Sequence, residues 1–145
     1  MNGGMSSDSP QAAQYLIQFG ANVEVKDNEG DTPFMIASST NGIASIKVLA
    51  KAGANVNNVN NKGESALIQA TQYGNWESVG TLLDLIKNEK LNIDLEIRDH
   101  DGNRAIEHAI VYKRVILLKM LFEFDNRYDN VDDIINLGIC CVKAE

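Results

Sequence analysis

Apolar residues come along this chain in short paired bursts, separated by polar stretches that favour turns. Phe34, Ile36 and Ala37 make a brief apolar face that ends at Ser39-Thr40-Asn41-Gly42. Ile43, Ile46, Val48 and Leu49 then follow on helical spacing and stop at Gly53. The plan returns after Ser65: Ala66-Leu67, a break at Tyr73-Gly74-Asn75, then Trp76, Val79, Leu82, Leu83, Leu85 and Ile86. It returns again with Ala105, Ile106 and Ala109 ahead of Val115, Leu117, Leu118, Leu121 and Phe122. Each pair of bursts predicts two short helices joined by a tight turn, and every apolar position in them is a candidate for the core. Trp76, at the start of a second helix, belongs with that core.

The pairs keep a period. Gly20-Ala21-Asn22-Val23 recurs 33 residues later as Gly53-Ala54-Asn55-Val56, and Gly30 and Ala37 recur at the same offset as Gly63 and Ala70. Gly102 and Ala109 lie 39 residues further on, so six residues have been inserted. Two independent marker pairs that hold one spacing and then shift together identify a repeat array. The chain divides into a tail or cloning remnant over 1–10, a partial repeat over 11–26, and repeats over 27–59, 60–98 and 99–124. A C-terminal capping segment over 125–145 follows. The insertion lengthens the second helix of the third repeat or the loop after it. Asn92 then stands where the other repeats have Gly, as the other residue that tolerates a left-handed cap.

Local chemistry agrees with helical hairpins. Asp27-Asn28-Glu29-Gly30-Asp31 is a turn-forming cluster, Thr32 is placed to cap a helix, and Pro33 suits its first turn. Gly53 suits a left-handed C-cap. In the first repeat only the second helix, around Ala12, Ala13, Tyr15, Leu16 and Ile17, has a clear counterpart, which leaves Leu16 and Ile17 on an open edge. Asn130-Val131-Asp132-Asp133 would start a last helix carrying Ile134, Ile135, Leu137 and Ile139.

Asp27-x-x-Gly30-x-Thr32-Pro33-Phe34, then Ala37, then Gly53-Ala54-Asn55-Val56-Asn57, resembles the ankyrin repeat, whose signature reads D-x-x-G-x-T-P-L-H-x-A and later G-A-x-V-N. The resemblance covers about residues 11–124. It implies an all-α solenoid of stacked, antiparallel helix pairs joined by protruding β-hairpin loops, with hairpin tips and inner helices lining a concave groove that usually binds proteins. The chain departs from the signature at its His, replaced by Met35, Ile68 and Glu107, so the family's polar contact to Thr is expected to be missing in the second and third repeats. In the fourth, Arg104 stands for Thr and Glu107 for His, three apart, and an ion pair substitutes.

The net charge of −7 over 145 residues opposes binding to phosphate backbones and anionic lipid without a basic patch, and none is found. Lys113-Arg114 with Lys119 reads as the solvated face of a helix. No apolar run approaches the length of a membrane span. The first ten residues lack the basic flank and apolar stretch of a signal peptide, which points to the cytoplasm. No phosphate-binding glycine loop, nucleophile elbow or zinc-protease helix occurs, so no enzyme activity, metal or cofactor is expected. His100 falls on a hairpin tip and His108 on a helix, where it reads as a contact between repeats. Cys140-Cys141 reads as two half-buried residues in a reducing compartment.

The resemblance places a partner-binding face on Asn28, Glu29, Asp31, Ser39 and Thr40; on Asn61, Lys62, Glu64, Gln72 and Tyr73; and on His100, Asp101, Asn103, Val111 and Tyr112. Tyr73 and Tyr112 hold equivalent positions, where two rings would sit side by side as anchors on a polar surface. The expected function is a non-catalytic module that binds a protein partner, one with a basic surface facing Glu29, Asp31, Glu64 and Asp101. The alternative is a regulatory or inhibitory part of a larger enzyme or effector. A metal-dependent or small-ligand enzyme would require a pocket in which carboxylates converge with His100 or His108. The chain is expected to be a monomer, or a weak dimer through its N-terminal edge.

Overall fold

The computed structural model describes residues 14–124 apart from Leu16. The tail over 1–10, most of the first repeat's apolar face, the capping segment over 125–145 and Cys140-Cys141 therefore lie outside the described residues. Six helices follow one another: α1 (Pro33–Ser39), α2 (Ile43–Lys51), α3 (Ala66–Gln72), α4 (Trp76–Asn88), α5 (Ala105–Val111) and α6 (Val115–Phe124). Residues 14, 15, 17 and 18 are also helical, and no strand occurs among the described residues. The fold is all-α. The inner helices α1, α3 and α5 pack in sequence, the outer helices α2, α4 and α6 do likewise, and each inner helix packs on its own outer helix.

The seven-residue inner helices begin where a side chain can satisfy free N–H groups. Thr32 Oγ1 accepts from the Met35 N–H at 3.3 Å and Ser65 Oγ from the Ile68 N–H at 3.3 Å. Met35, which stands in place of the signature His, is not inert: its Sδ accepts the Thr32 N–H at 3.4 Å. Each inner helix then turns over at one left-handed residue, Asn41, Gly74 or Lys113. The N–H after it closes on a carbonyl five residues back, as Gly42 does on Ala37 at 2.7 Å and Asn75 on Ala70 at 2.9 Å. Phe34, Met35, Ile46, Ile68, Val79 and Leu82 are buried in one continuous core.

Three expectations about individual positions are corrected. Lys90, not Asn92, is the left-handed residue after α4. The helix runs thirteen residues against nine in α2, and the rest of the insertion falls between Lys90 and Ile93, so the cap precedes the place the repeat alignment gave it. Trp76 is 55% exposed and Val115 59%, because the first residue of these outer helices faces solvent. Ile36, read as part of the apolar face of α1, is 42% exposed. At the N-terminal edge, Ile17 packs partly against the core while Phe19 is 85% exposed.

Gly53 and Gly30 separate two costs of a side chain. Both sit at positive φ, +86° and +83°, but a Cβ on Gly53 would meet nothing within 4 Å, whereas on Gly30 it would come within 2.8 Å of the Asn61 backbone nitrogen. Gly53→Ala is expected to cost about 1–2 kcal/mol for the backbone conformation alone. Gly30→Ala is expected to cost distinctly more, as a larger fall in the midpoint of urea unfolding. Equal losses would mean the loop-to-loop approach is looser than described.

Candidate functional site

The hairpin loops present the tips of successive repeats side by side. Each loop is closed by one side-chain oxygen. Asp27 Oδ1 accepts the N–H groups of Glu29 and Asp31 at 3.0 and 2.9 Å. Asn60 Oδ1 accepts those of Lys62 and Glu64 at 2.9 and 3.0 Å. Asp99 Oδ1 accepts those of Asp101 and Asn103 at 3.0 and 2.9 Å. A left-handed Gly30, Gly63 or Gly102 three residues later completes each turn. Successive loops are joined through the backbone, Asn61 N–H to Glu29 O at 3.0 Å and His100 N–H to Lys62 O at 2.9 Å. The connection is a chain of hydrogen-bonded turns rather than strand pairs.

Between the third and fourth repeats the tips and inner helices enclose a cleft of about 480 Å³. It brings together Asn61, Lys62, Glu64, Gln72, His100, Asp101, Asn103 and Tyr112, and also Val111, Asp99 and His108. Asn28, Glu29, Asp31, Thr40 and Tyr73 are not on its walls; Asn28, Glu29, Thr40 and Tyr73 are exposed and Asp31 is half-buried. Glu64 is only 7% exposed and is held by Asn60 Nδ2 at 3.0 Å, so it belongs to the framework of the cleft as much as to its surface.

The floor of the cleft is a buried contact between an imidazole and a carboxylate that sequence reasoning did not find. His108 Nε2 lies 2.7 Å from Asp99 Oδ2, a contact within one repeat rather than between repeats. Tyr112 stacks on that imidazole, rings 6.0 Å apart and inclined by 7°. The ring partner of Tyr112 is therefore His108, not Tyr73. The signal was present as the regular acceptor three residues before each loop glycine, Asp27, Asn60 and Asp99, together with His108 on the inner helix. Carboxylates do converge here with His100 and His108, but Asp99 is committed to two N–H groups and the imidazole. Among the described residues no group of three or more His, Cys, Asp or Glu is placed to hold a metal ion.

Beside the cleft, Arg104 and Glu107 form the ion pair that stands in for the signature Thr and His, at 3.0 Å. It is not a surface pair. Arg104 is 9% exposed, reaches Glu96 at 3.0 Å as well, and its backbone N–H donates to Glu107 Oε2 at 2.6 Å. Burial works to raise the Glu107 pKa, yet the Arg104 N–H and guanidinium, with Arg98 beyond, outweigh it and hold the carboxyl below its ordinary value. Burial opposes ionisation of Asp99 in the same way, and the Asn103 and Asp101 N–H groups with His108 bring its value down.

Both carboxyls are depressed in the folded chain, so the stability they contribute is complete above the ordinary carboxylate range and is lost as pH falls through their folded values. Unfolding free energy is expected to decline below about pH 4. Asp99→Asn with Glu107→Gln should lower stability at pH 7 and flatten that acid limb, as read by urea titrations at pH 7, 4 and 3. An unchanged acid limb in the double variant would show that other groups set it.

A family model described as ankyrin repeats (3 copies) matches residues 4–93. A putative ankyrin repeat protein of Acanthamoeba polyphaga mimivirus is 30% identical over 129 residues, 86% of this chain and 76% of its own length. The NF-kappa-B inhibitor delta of mouse is 25% identical over 107 residues, 74% of this chain but 32% of that protein. A putative ankyrin repeat protein of Rickettsia bellii is 38% identical over 77 residues, 51% of this chain and 46% of its own length. The chain thus spans about a third of the mouse relative and under half of the bacterial one. No helix of the described residues is long and apolar enough to cross a membrane.

Proposed function

Because the chain belongs to the ankyrin-repeat family, we propose that it is a non-catalytic module that binds a protein partner in the groove of hairpin tips and inner helices. Ankyrin repeats generally mediate protein–protein interaction. The observation that carries the reading is the cleft of about 480 Å³ formed jointly by two successive repeats. Its exposed Tyr112 wall and polar tips have the makeup of a hot spot within a polar rim. Tyr73, 62% exposed, extends that surface one repeat back. The acidic tips Glu29 and Asp101 favour a partner that presents Lys or Arg there, and a cytoplasmic setting fits such a module. Exposed Phe19 and Tyr15 support weak self-association at the N-terminal edge as a second contact, which sedimentation at rising concentration would detect.

A second reading is favoured by the mouse relative, whose name is that of an inhibitor: the array is a regulatory or inhibitory part of a larger effector. It uses the same groove, and the partner's identity separates the two.

Tyr73→Ala and Tyr112→Ala are each expected to weaken a captured, identified partner by about 2 kcal/mol. Charge reversal at Glu29 and Asp101 should mainly slow association and flatten its salt dependence. Lys47 and Lys51 are exposed on α2, and their Ala variants should bind normally. A titration of all these variants at two salt concentrations is the measurement. Loss of binding in the Lys variants with normal binding by both Tyr variants would move the site to the outer helices.

A further inference from the structure

The step between the second and third repeats holds more hydrogen-bond acceptors than donors. Gln69 on α3 is 4% exposed, and its Oε1 has no hydrogen-bond partner among the described residues. Its Nε2 donates to Asp31 Oδ1 at 3.0 Å. Asn60 Nδ2 donates to the same Asp31 oxygen at 2.9 Å and to Glu64 Oε1 at 3.0 Å. Two amides and two carboxylates therefore converge. Neither carboxylate is paired with a cation among the described residues. Buried carboxylates are ordinarily paired, and a buried carbonyl oxygen ordinarily has a donor.

The neighbouring step shows what is missing. His108 stands 39 residues after Gln69, and Asp99 39 after Asn60. There the imidazole meets the carboxylate at 2.7 Å, so the fourth repeat supplies its own partner. In the third repeat, amides occupy both positions and the acceptors are left over.

We propose that Asp31, Glu64 and Gln69 Oε1 form the anchoring pocket for one cationic side chain of the protein partner, a lysine ammonium or an arginine guanidinium. Such a group is donor-only, with three or five N–H donors and no acceptor, and so complements a cluster of spare oxygens. Glu64 also lines the cleft and Asp31 is half-buried, so the cluster meets the surface at its two carboxylates, with the Gln69 oxygen behind them. The acidic tips Glu29 and Asp101 are exposed and steer the approach; the more buried cluster of Asp31, Glu64 and Gln69 confers selectivity for the charge. This inference rests on the groove reading above.

The test is a titration of the isotope-labelled chain with a short oligoarginine peptide, followed by NMR at the Gln69 and Asn60 side-chain amides, with Mg²⁺ alone as a second arm. Those amides are expected to shift with the peptide and not with the metal. The double variant Asn60→Asp with Gln69→His installs the pair of the fourth repeat. It is expected to bind the peptide roughly tenfold or more weakly, although it adds a carboxylate and so does not reduce general attraction to a basic peptide. Gln69→Leu, which removes the amide at similar volume, should also weaken binding and serves if the double variant fails to fold. If the Gln69 amide stays still while the backbone amides of 100–103 shift, the anchor is wrong and the groove reading survives. If shifts fall only on α2, the groove reading fails with it. Equal shifts with Mg²⁺, competing with the peptide, would overturn the anchor in favour of an inorganic cation site.

Discussion

One side-chain oxygen per repeat closes each hairpin loop, and the whole groove edge depends on it. Asp27, Asn60 and Asp99 each take two N–H groups that the reversal of the chain would otherwise leave without partners. With those satisfied inside the loop, the tip N–H of Asn61 and of His100 is free to bond the carbonyl of the preceding loop. The loops become a hydrogen-bonded row, and the row sets how closely repeats stack at this edge. Gly30 and Gly63 are where the approach is tightest, since a Cβ on either would collide with Asn61 or His100.

The choice of acid or amide at this closing position decides what else the repeat does. Asp99 has a second oxygen to spare, and it faces His108. Asn60 has an NH₂ to spare, and it faces two carboxylates, Asp31 and Glu64. Backbone roles are identical while the outward chemistry differs. The same division holds at the start of α5. There the signature hydroxyl and imidazole are replaced by Arg104 and Glu107, and burial makes the exchange tolerable only because Glu96 adds a second carboxylate and the Arg104 N–H holds the first.

The period and the helix pairs were legible in the sequence because turn glycines and apolar faces repeat at fixed offsets, and each carries local information. Thr32 as a cap and Gly53 at positive φ followed from the same reasoning; the inserted residues, which the sequence leaves open between helix and loop, divide between the two. Exposure of single positions was not legible. Trp76 and Val115 read as core because hydrophobicity does not say which way the first residue of an outer helix points; the turn before it does. Lys90 could not be distinguished from Asn92, since a Schellman-type end recruits whatever residue lies two beyond the last turn. The Asp99–His108 pair spans nine residues, a separation at which no simple periodicity operates, and repeat equivalence pairs Tyr112 with Tyr73, whereas its ring partner, His108, lies one helical turn back.

If the groove binds a partner as proposed, a row of loops stiffened from within bears on recognition. The bonds that fix the tips use the side chains at 27, 60 and 99 and the backbone of the residues between, so the side chains of Glu29, Lys62, His100 and Asp101 are not needed for closure. They are presented on a frame whose geometry is set before any partner arrives, which reduces the ordering cost of association. Substitution at the tips then changes what the groove selects without changing the loop, whereas substitution at the closing oxygen or the glycine after it changes the loop itself. Selectivity and architecture are therefore separated residue by residue within each turn. At the acceptor-rich step around Gln69 the proposed anchor would join the two, because its buried amides serve the frame while the Gln69 oxygen is left without a donor among the described residues.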